Sequence, residues 1–209
     1  MFREISQPSF NSECRIIGIT GGIGAGKSVV ARVVQLLGFP VYDCDRRAAE
    51  IMNSSPEVHV RLVEAFGKRV IPNGHIDRKY LSELVFSNKE ALDKLNSIVH
   101  PAVIADIKSW AKNVMPYGRV SQTSYIFIET AILYESHLDS LVDAVWYVKA
   151  NEDIRISRVM ERSGLTREQV ERRIASQRNE HDNSSHKPTF DIINDGLTPV
   201  LPQILALLK

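Results

Sequence analysis

The sequence is poor in everything that would tie it to a membrane, a nucleic acid or an oxidising compartment. It has only two cysteines, Cys14 and Cys44. Their spacing fits neither a metal site nor a disulfide framework, so a reducing compartment is the simpler reading. No stretch approaches the roughly 20 apolar residues of a membrane span. Met1–Glu13 is polar and mixed, without an apolar core or small-residue cleavage site, so no secretory leader is expected. The net charge is +1, which removes any overall electrostatic case for a nucleic-acid or membrane-surface partner. Internal repeats and low-complexity segments are missing too. The expectation is a cytoplasmic globular protein, a monomer or small homo-oligomer.

What is present is enough chain, 209 residues, for one large domain or one core carrying smaller insertions. Arg15–Thr20 reads as a short buried strand, with Ile16, Ile17 and Ile19 ahead of a run of glycines. Lys27–Leu37 then reads as a helix with a broad apolar face of Val29, Val30, Val33, Val34, Leu36 and Leu37. Gly38 ends it and Phe39–Tyr42 starts a second strand. Strand, Gly-rich loop, helix, strand is the order of a parallel α/β sheet.

From Arg46 to about Ile104 the pattern turns helical: Arg46–Met52, Val58–Phe66, Lys79–Val85 and Lys89–Ile98, with Pro101 opening a further helix over Ala102–Asn113. Met115–Arg119 reads as a turn. Tyr125–Ile128, ending in Glu129, and Ala144–Val148 read as strands. Asn151–Arg162 and Arg167–Gln177 read as two Arg-rich helices, the second opened by a capping box of Thr166 and Gln169. A short strand at Asp191–Asn194 and a helix at Pro199–Lys209 complete the chain. The predicted fold is an α/β, P-loop NTPase-type parallel sheet flanked by helices, with a helical insertion and a two-helix lid. Residues 1–45, 101–150 and 188–209 would form the nucleotide-binding core, 46–100 the helical acceptor unit and 151–187 the lid.

Gly21-Gly22-Ile23-Gly24-Ala25-Gly26-Lys27-Ser28 matches G-x-x-x-x-G-K-[ST] at every fixed position. Glycines let the backbone wrap a phosphate closely with its N–H groups pointing inward. The helix that follows offers its positive end to the anion. Gly22, Ile23, Gly24, Ala25, Gly26, Lys27, Ser28 and Val29 are therefore the ATP-binding candidates. Lys27 is placed for the β- and γ-phosphates, and Ser28 for Mg²⁺. The alternative, a Gly-rich turn that binds nothing, leaves the strand and helix on either side of it unexplained.

The loop implies a triphosphate and names no reaction. The N-K-x-D of guanine-specific GTPases and the L-S-G-G-Q of ABC-type ATPases are both absent. Asp43 and Asp45 fall at the end of the second strand, where open α/β sheets place ligands, and alternation aims them to one face. One can take the proton of an acceptor hydroxyl while either helps hold Mg²⁺; equally, both can be solvated carboxylates capping the next helix. Arg158 and Arg162 lie one helical turn apart, which suits a lid over phosphates. The competing reading is a solvated face paired with Glu152, Glu161, Glu168 and Glu171. Glu129 is either a carboxylate reaching Mg²⁺ through water or an ordinary strand end. Cys44 is most simply a packing residue.

Ile17-Gly18-Ile19-Thr20 running into the Gly-rich loop, then Leu37-Gly38-Phe39-Pro40-Val41-Tyr42-Asp43-Cys44-Asp45-Arg46, resembles the dephospho-CoA kinase family. Leu95-Asn96-Ser97-Ile98-Val99-His100-Pro101 resembles its L-N-x-I-x-H-P. Arg158 and Arg162 with Arg173-Ile174-Ala175-Ser176-Gln177 resemble its lid, and Asn194-Asp195-Gly196 its late N-x-G. The matches are collinear from about Ile16 to Gly196. Two segments depart. The usual D-x-P-L-L-F-E is Glu129-Thr130-Ala131-Ile132-Leu133-Tyr134-Glu135, and the usual A-D-x-V-I is replaced around Thr189, so no role is carried to that position.

The resemblance implies transfer of the ATP γ-phosphate to the ribose 3′-hydroxyl of dephospho-CoA, the last step of coenzyme A synthesis. ATP and dephospho-CoA would be the partners and Mg²⁺ the metal. Lys27, Asp45 and Arg162 would be catalytic, Asp45 as general base. Arg158 and Asn194 would join the ATP site, Asn194 beside the adenine. Asp43, Asp45 and His100 would meet the acceptor, and Ser28 and Glu129 the metal; for His100, a surface histidine at a helix start is an equal explanation. Rival readings are another P-loop kinase, acting on a nucleoside monophosphate or other hydroxyl, and a non-catalytic ATP-binding regulator. His100-Pro101 and the D-x-D speak against the first. Retention of Lys27, Ser28 and Asp45 speaks against the second.

Overall fold

A near-continuous run of β-branched residues, Ile16, Ile17, Ile19 and Thr20, makes the central strand, buried on both faces. The computed structural model describes residues 14–86, 88–114, 124–178 and 187–209; the turn expected at Met115–Arg119 lies outside them. Strand β1 (Cys14–Thr20) pairs in parallel with β3 (Ser124–Glu129) on one side and β4 (Ala144–Lys149) on the other. β2 (Val41–Asp43) adds outside β3 and β5 (Thr189–Ile193) outside β4, giving the order β2-β3-β1-β4-β5, all parallel. The order reverses at β1, so the crevice at its C-terminal end is where ligands are expected in such sheets.

Alternation sends Ile17 and Ile19 to one face, with Phe127, Trp146 and Val148. Helices α1 (Lys27–Leu36) and α8 (Val200–Leu207) cover that face. Val30, Ala31 and Val34 are the buried stripe of α1, each fully buried aliphatic chain contributing about 1.5–3 kcal/mol. The apolar face is narrower than its composition suggests, because Val29 and Leu36 point outward, 48% and 72% exposed.

The opposite face, carrying Ile128 and Val145, packs on α2 (Cys44–Ser54) and α5 (Lys89–Val114). α3 (Pro56–Phe66) and α4 (Arg78–Phe86) close a separate apolar cluster around Leu62 and Ile98. α3 starts where Ser55 Oγ accepts from Val58 N at 3.3 Å, with Pro56 in its first turn. The two helices expected to form a lid are α6 (Glu152–Ser163) and α7 (Arg167–Arg178), packed on Ile156, Val159, Val170 and Ile174. α6 ends at Gly164 in the left-handed region, φ 65°. The capping box forms, with Thr166 N donating to Gln169 Oε1 at 2.9 Å and Gln169 N to Thr166 Oγ1 at 3.4 Å.

Two expectations are corrected. Pro101 does not open a new helix; it sits inside α5, which runs unbroken from Lys89 to Val114. A proline there removes the donor to the carbonyl four residues back. That carbonyl, Ser97 O, instead accepts from Arg61 Nη2 at 3.3 Å, so the helix continues through His100. The second strand is also shorter than read: it stops at Asp43, and Asp45 lies in the first turn of α2. Strand alternation therefore does not aim Asp43 and Asp45 together.

Candidate active site

The loop between β1 and α1 is built on backbone conformations that side chains disfavour. Gly26 is left-handed, φ 91°, and any Cβ there would strike Asn194 Nδ2; at Gly24, φ 79°, it would strike the backbone of Arg155. Gly26 caps α1 without a side-chain acceptor and the first turn carries no acidic residue, so no carboxylate of the helix itself opposes its positive end, which suits an anionic ligand. Lys27 Nζ folds back onto the loop, donating to Gly21 O at 3.0 Å and to Gly22 O at 3.4 Å. Val29, on the outward side of α1, follows Ser28 in the same first turn.

Neighbouring elements brace the cradle. Asn194, 7% exposed at the end of β5, donates through Nδ2 to Ala25 O at 2.9 Å, and Arg158 Nη1 donates to Asn194 O at 2.9 Å. From α6, Arg155 Nε donates to Ile23 O at 2.8 Å, and from α7, Gln177 Oε1 accepts from Ile23 N at 2.8 Å. Arg162 is exposed and lies within electrostatic reach of Lys27. Arg167, in contrast, pairs with Asp153 and Glu171, the solvated-face alternative. Arg155 and Gln177 escape the sequence reading. Arg155 lies three residues before Arg158, so continuing the arginine face back one turn finds it. Gln177 ends the R-I-x-x-Q stretch already matched.

Carboxylates gather opposite the lysine. The parallel register sets Asp43 of β2 beside Glu129 of β3. Burial pushes Glu129 up to about 7, Asp43 and Asp45 add to the rise, and Lys27 opposes it. Burial also raises Asp45, against the pull of Lys27. Lys27 itself is lowered by burial, with Glu129 and Asp45 countering. Asp43 is partly committed elsewhere, since its Oδ1 accepts from Arg46 N at 2.9 Å as the N-cap of α2. That is the capping alternative, realised for one aspartate and not the other.

Asp45 instead opens onto a cavity of about 170 Å³ between α2, α5 and the loop after β3. His100 and Asn96 of α5 line it with Thr130 and Ser136, over a floor including Met52, Val99 and Val103. Burial and the nearby His137 lower the His100 imidazole below its ordinary value, which favours its neutral form. The structure thus groups Asp45 with His100 in one cavity, and Asp45 with Lys27 and Glu129 around the loop. Cys44 is buried in the wall, its thiol pushed up chiefly by burial, as a packing residue should be.

A phosphate cradle joined to a cavity by one carboxylate is the layout of a kinase with a small acceptor. Residues 15–198 match the family model described as dephospho-CoA kinase. The chain belongs to the dephospho-CoA kinase family. It is 38% identical over 163 residues to the dephospho-CoA kinase of Carboxydothermus hydrogenoformans, covering 78% of this chain and 77% of that one. To the dephospho-CoA kinase of Porphyromonas gingivalis it is 36% identical over 193 residues, 92% of each chain. A Thermus thermophilus protein of solved structure superimposes with a TM-score of 0.77 at 32% identity, over 94% of this chain and 96% of that one. The Glu129–Glu135 segment, where this member of the dephospho-CoA kinase family departs from the usual motif, keeps an ordered turn. Thr130 N donates to Ile19 O at 3.1 Å and Ile132 N to Thr130 Oγ1 at 3.2 Å.

Proposed function

We propose that this chain transfers the γ-phosphate of ATP to the ribose 3′-hydroxyl of dephospho-CoA, the last step of coenzyme A synthesis. The observation that carries the reading is Asp45, which lies within electrostatic reach of Lys27 and lines the cavity with His100. The loop amides and Lys27 bind the triphosphate, and Lys27 leaves its bonds to Gly21 O and Gly22 O to do so. Asp45 orients the acceptor hydroxyl and accepts its proton as the new P–O bond forms. Its raised pKa, a consequence of burial, brings its basicity closer to working pH. Arg158 and Arg162 bring positive charge from the lid to the transferring phosphoryl group. Asn194 holds the loop from behind, at the edge where the adenine would lie.

Mg²⁺ fits the residues. Three carboxyl groups, Asp43, Asp45 and Glu129, gather near the single Lys27 ammonium, and burial first and then the neighbouring aspartates raise Glu129, a crowding that a cation would relieve. Hard oxygen donors, the Ser28 hydroxyl and the Glu129 carboxylate, suit that ion. Among the described residues no group of three or more His, Cys, Asp or Glu could hold a metal ion by itself, so the ion would arrive shared with the nucleotide. When bound it neutralises the β- and γ-phosphates.

Residues 46–100 serve as the acceptor unit and 151–187 as the lid, with α5 running from the acceptor unit into the core. We place the protein in the cytoplasm. That placement accords with free cysteines at 14 and 44 and with the lack of any described helix long and apolar enough to cross a membrane. The test is ADP release by the purified protein with ATP and Mg²⁺ against dephospho-CoA, AMP and pantetheine. Release dependent on dephospho-CoA alone is expected. Release with AMP instead would make it a nucleotide kinase, and none with any acceptor would make it a regulator.

A further inference from the structure

Asp106, on α5, is gripped from two sides by the segment that carries Asp45. Arg47 Nε donates to Asp106 Oδ2 at 3.0 Å, and Arg47 Nη2 donates to both carboxylate oxygens at 2.8 Å. The Tyr42 hydroxyl donates to Oδ2 at 2.5 Å. Arg47 Nη1 reaches Glu50 Oε2 at 2.7 Å, which fixes the guanidinium plane. Tyr42 is 2% exposed and meets the Trp110 ring edge-on at 5.3 Å.

This differs from an ordinary surface pair. Arg46–Glu50 has side chains 64% and 42% exposed, whereas Arg47 and Asp106 are 35% and 26% exposed and meet in a fork. Burial acts to raise the Asp106 carboxyl, but the hydrogen bonds from Arg47 and Tyr42 outweigh it and leave it below the usual range. The carboxylate is thus ionised throughout the neutral range.

The position of the clamp gives it a consequence. Tyr42 and Arg47 bracket Asp43–Arg46, so the turn bearing Asp45 is held at both ends against one side chain of α5. The same helix supplies His100 and Asn96 to the cavity wall facing Asp45. Asp106 does not line the cavity, so it can act there only through Tyr42 and Arg47. We propose that Asp106, with Tyr42 and Arg47, is a positioning device that sets the placement of Asp45 relative to the acceptor wall of α5. The inference rests on the proposed phosphoryl transfer to dephospho-CoA.

The test is steady-state kinetics with dephospho-CoA and ATP·Mg²⁺ for Asp106→Asn and Tyr42→Phe, with binding of a non-hydrolysable ATP analogue measured separately. Asp106→Asn should raise the acceptor KM and lower kcat, each by roughly tenfold, because small misplacements of reacting groups cost 10- to 100-fold. Affinity for the analogue should stay within about twofold, since the loop is braced from Asn194, Arg155 and Gln177 instead. Tyr42→Phe, which keeps the ion pair and the packing, should move the same constants by a few-fold and decides the matter if Asp106→Asn does not fold. Folded variants with unchanged acceptor KM and kcat would overturn the clamp, as would equal losses for both substrates. A wild-type protein without dephospho-CoA-dependent turnover would overturn the functional reading, and the clamp with it.

Discussion

Replacing Glu129 by glutamine should make the protein more stable at alkaline pH and leave it unchanged at mildly acid pH. Glu129 lies at the end of β3 beside Asp43, and burial with two like charges lifts it from 4.5 to about 7. Between those values the folded chain holds a proton on Glu129 that the unfolded chain has released. Stability therefore falls as pH rises through that window and stays low above it. The full gap corresponds to at most ~3 kcal/mol. Glu129 is only partly buried, and solvent screening reduces this to ~1–2 kcal/mol. Glutamine keeps the shape and carries no charge, so the variant should gain that amount at pH 8 and nothing near pH 4.5. For a chain of this size the gain is a melting-temperature rise of roughly 2–8 °C. The assay is thermal or urea unfolding of both proteins from pH 4.5 to 8.5, in EDTA and without nucleotide, because a bound cation would hold the carboxylate ionised. Asp45 is raised in the same direction and interacts with Glu129, so losing the Glu129 charge eases Asp45 as well and adds to the difference with the same sign. A difference that is flat with pH would refute the charge-crowding account of this end of the sheet.

Other outcomes follow from the same geometry. Asp45→Asn should cut turnover by roughly 10²–10⁴-fold with ATP affinity retained; near-normal turnover would remove Asp45 from the role of base. Gly26→Ala should abolish detectable ATP binding in a titration and lower stability by ~1–2 kcal/mol, from φ 91° and the clash with Asn194. A variant that binds ATP normally would contradict the cradle. Arg162→Ala should lower kcat by at least about tenfold while leaving the acceptor KM near wild type, and full turnover would exclude Arg162 from the lid chemistry.

How much of this was legible in the sequence depended on whether the determinant was local. The Gly21–Ser28 cradle, the strand before it and the capping box at Thr166 are set by residues a few positions apart, and all form. Pro101 misled because the compensation for its missing N–H comes from Arg61 on another helix. The end of β2 misled because Asp43 caps α2, converting an expected strand residue at Asp45 into a helical one. That conversion is what separates the two aspartates, sending Asp45 to the cavity and leaving Asp43 at the cap. Helical periodicity places Arg155 on the face of Arg158 but does not give its distant partner Ile23, and no periodicity signals the Tyr42–Arg47–Asp106 clamp. The grouping of Asp45 with His100 was implied by the family resemblance and not by spacing, because it depends on α2 and α5 facing each other across the cavity.

The most direct test of a cradle and an acceptor cavity joined at Asp45 is the identity of the phosphorylated product. Wild-type protein would be incubated with ATP, Mg²⁺ and dephospho-CoA, and the product examined by chromatography and ³¹P NMR. One new phosphate ester is expected, on the ribose 3′-oxygen, formed in equal amount to ADP and lost in Lys27→Ala. ADP formed without any phosphorylated acceptor, or a phosphate placed on another hydroxyl, would contradict it.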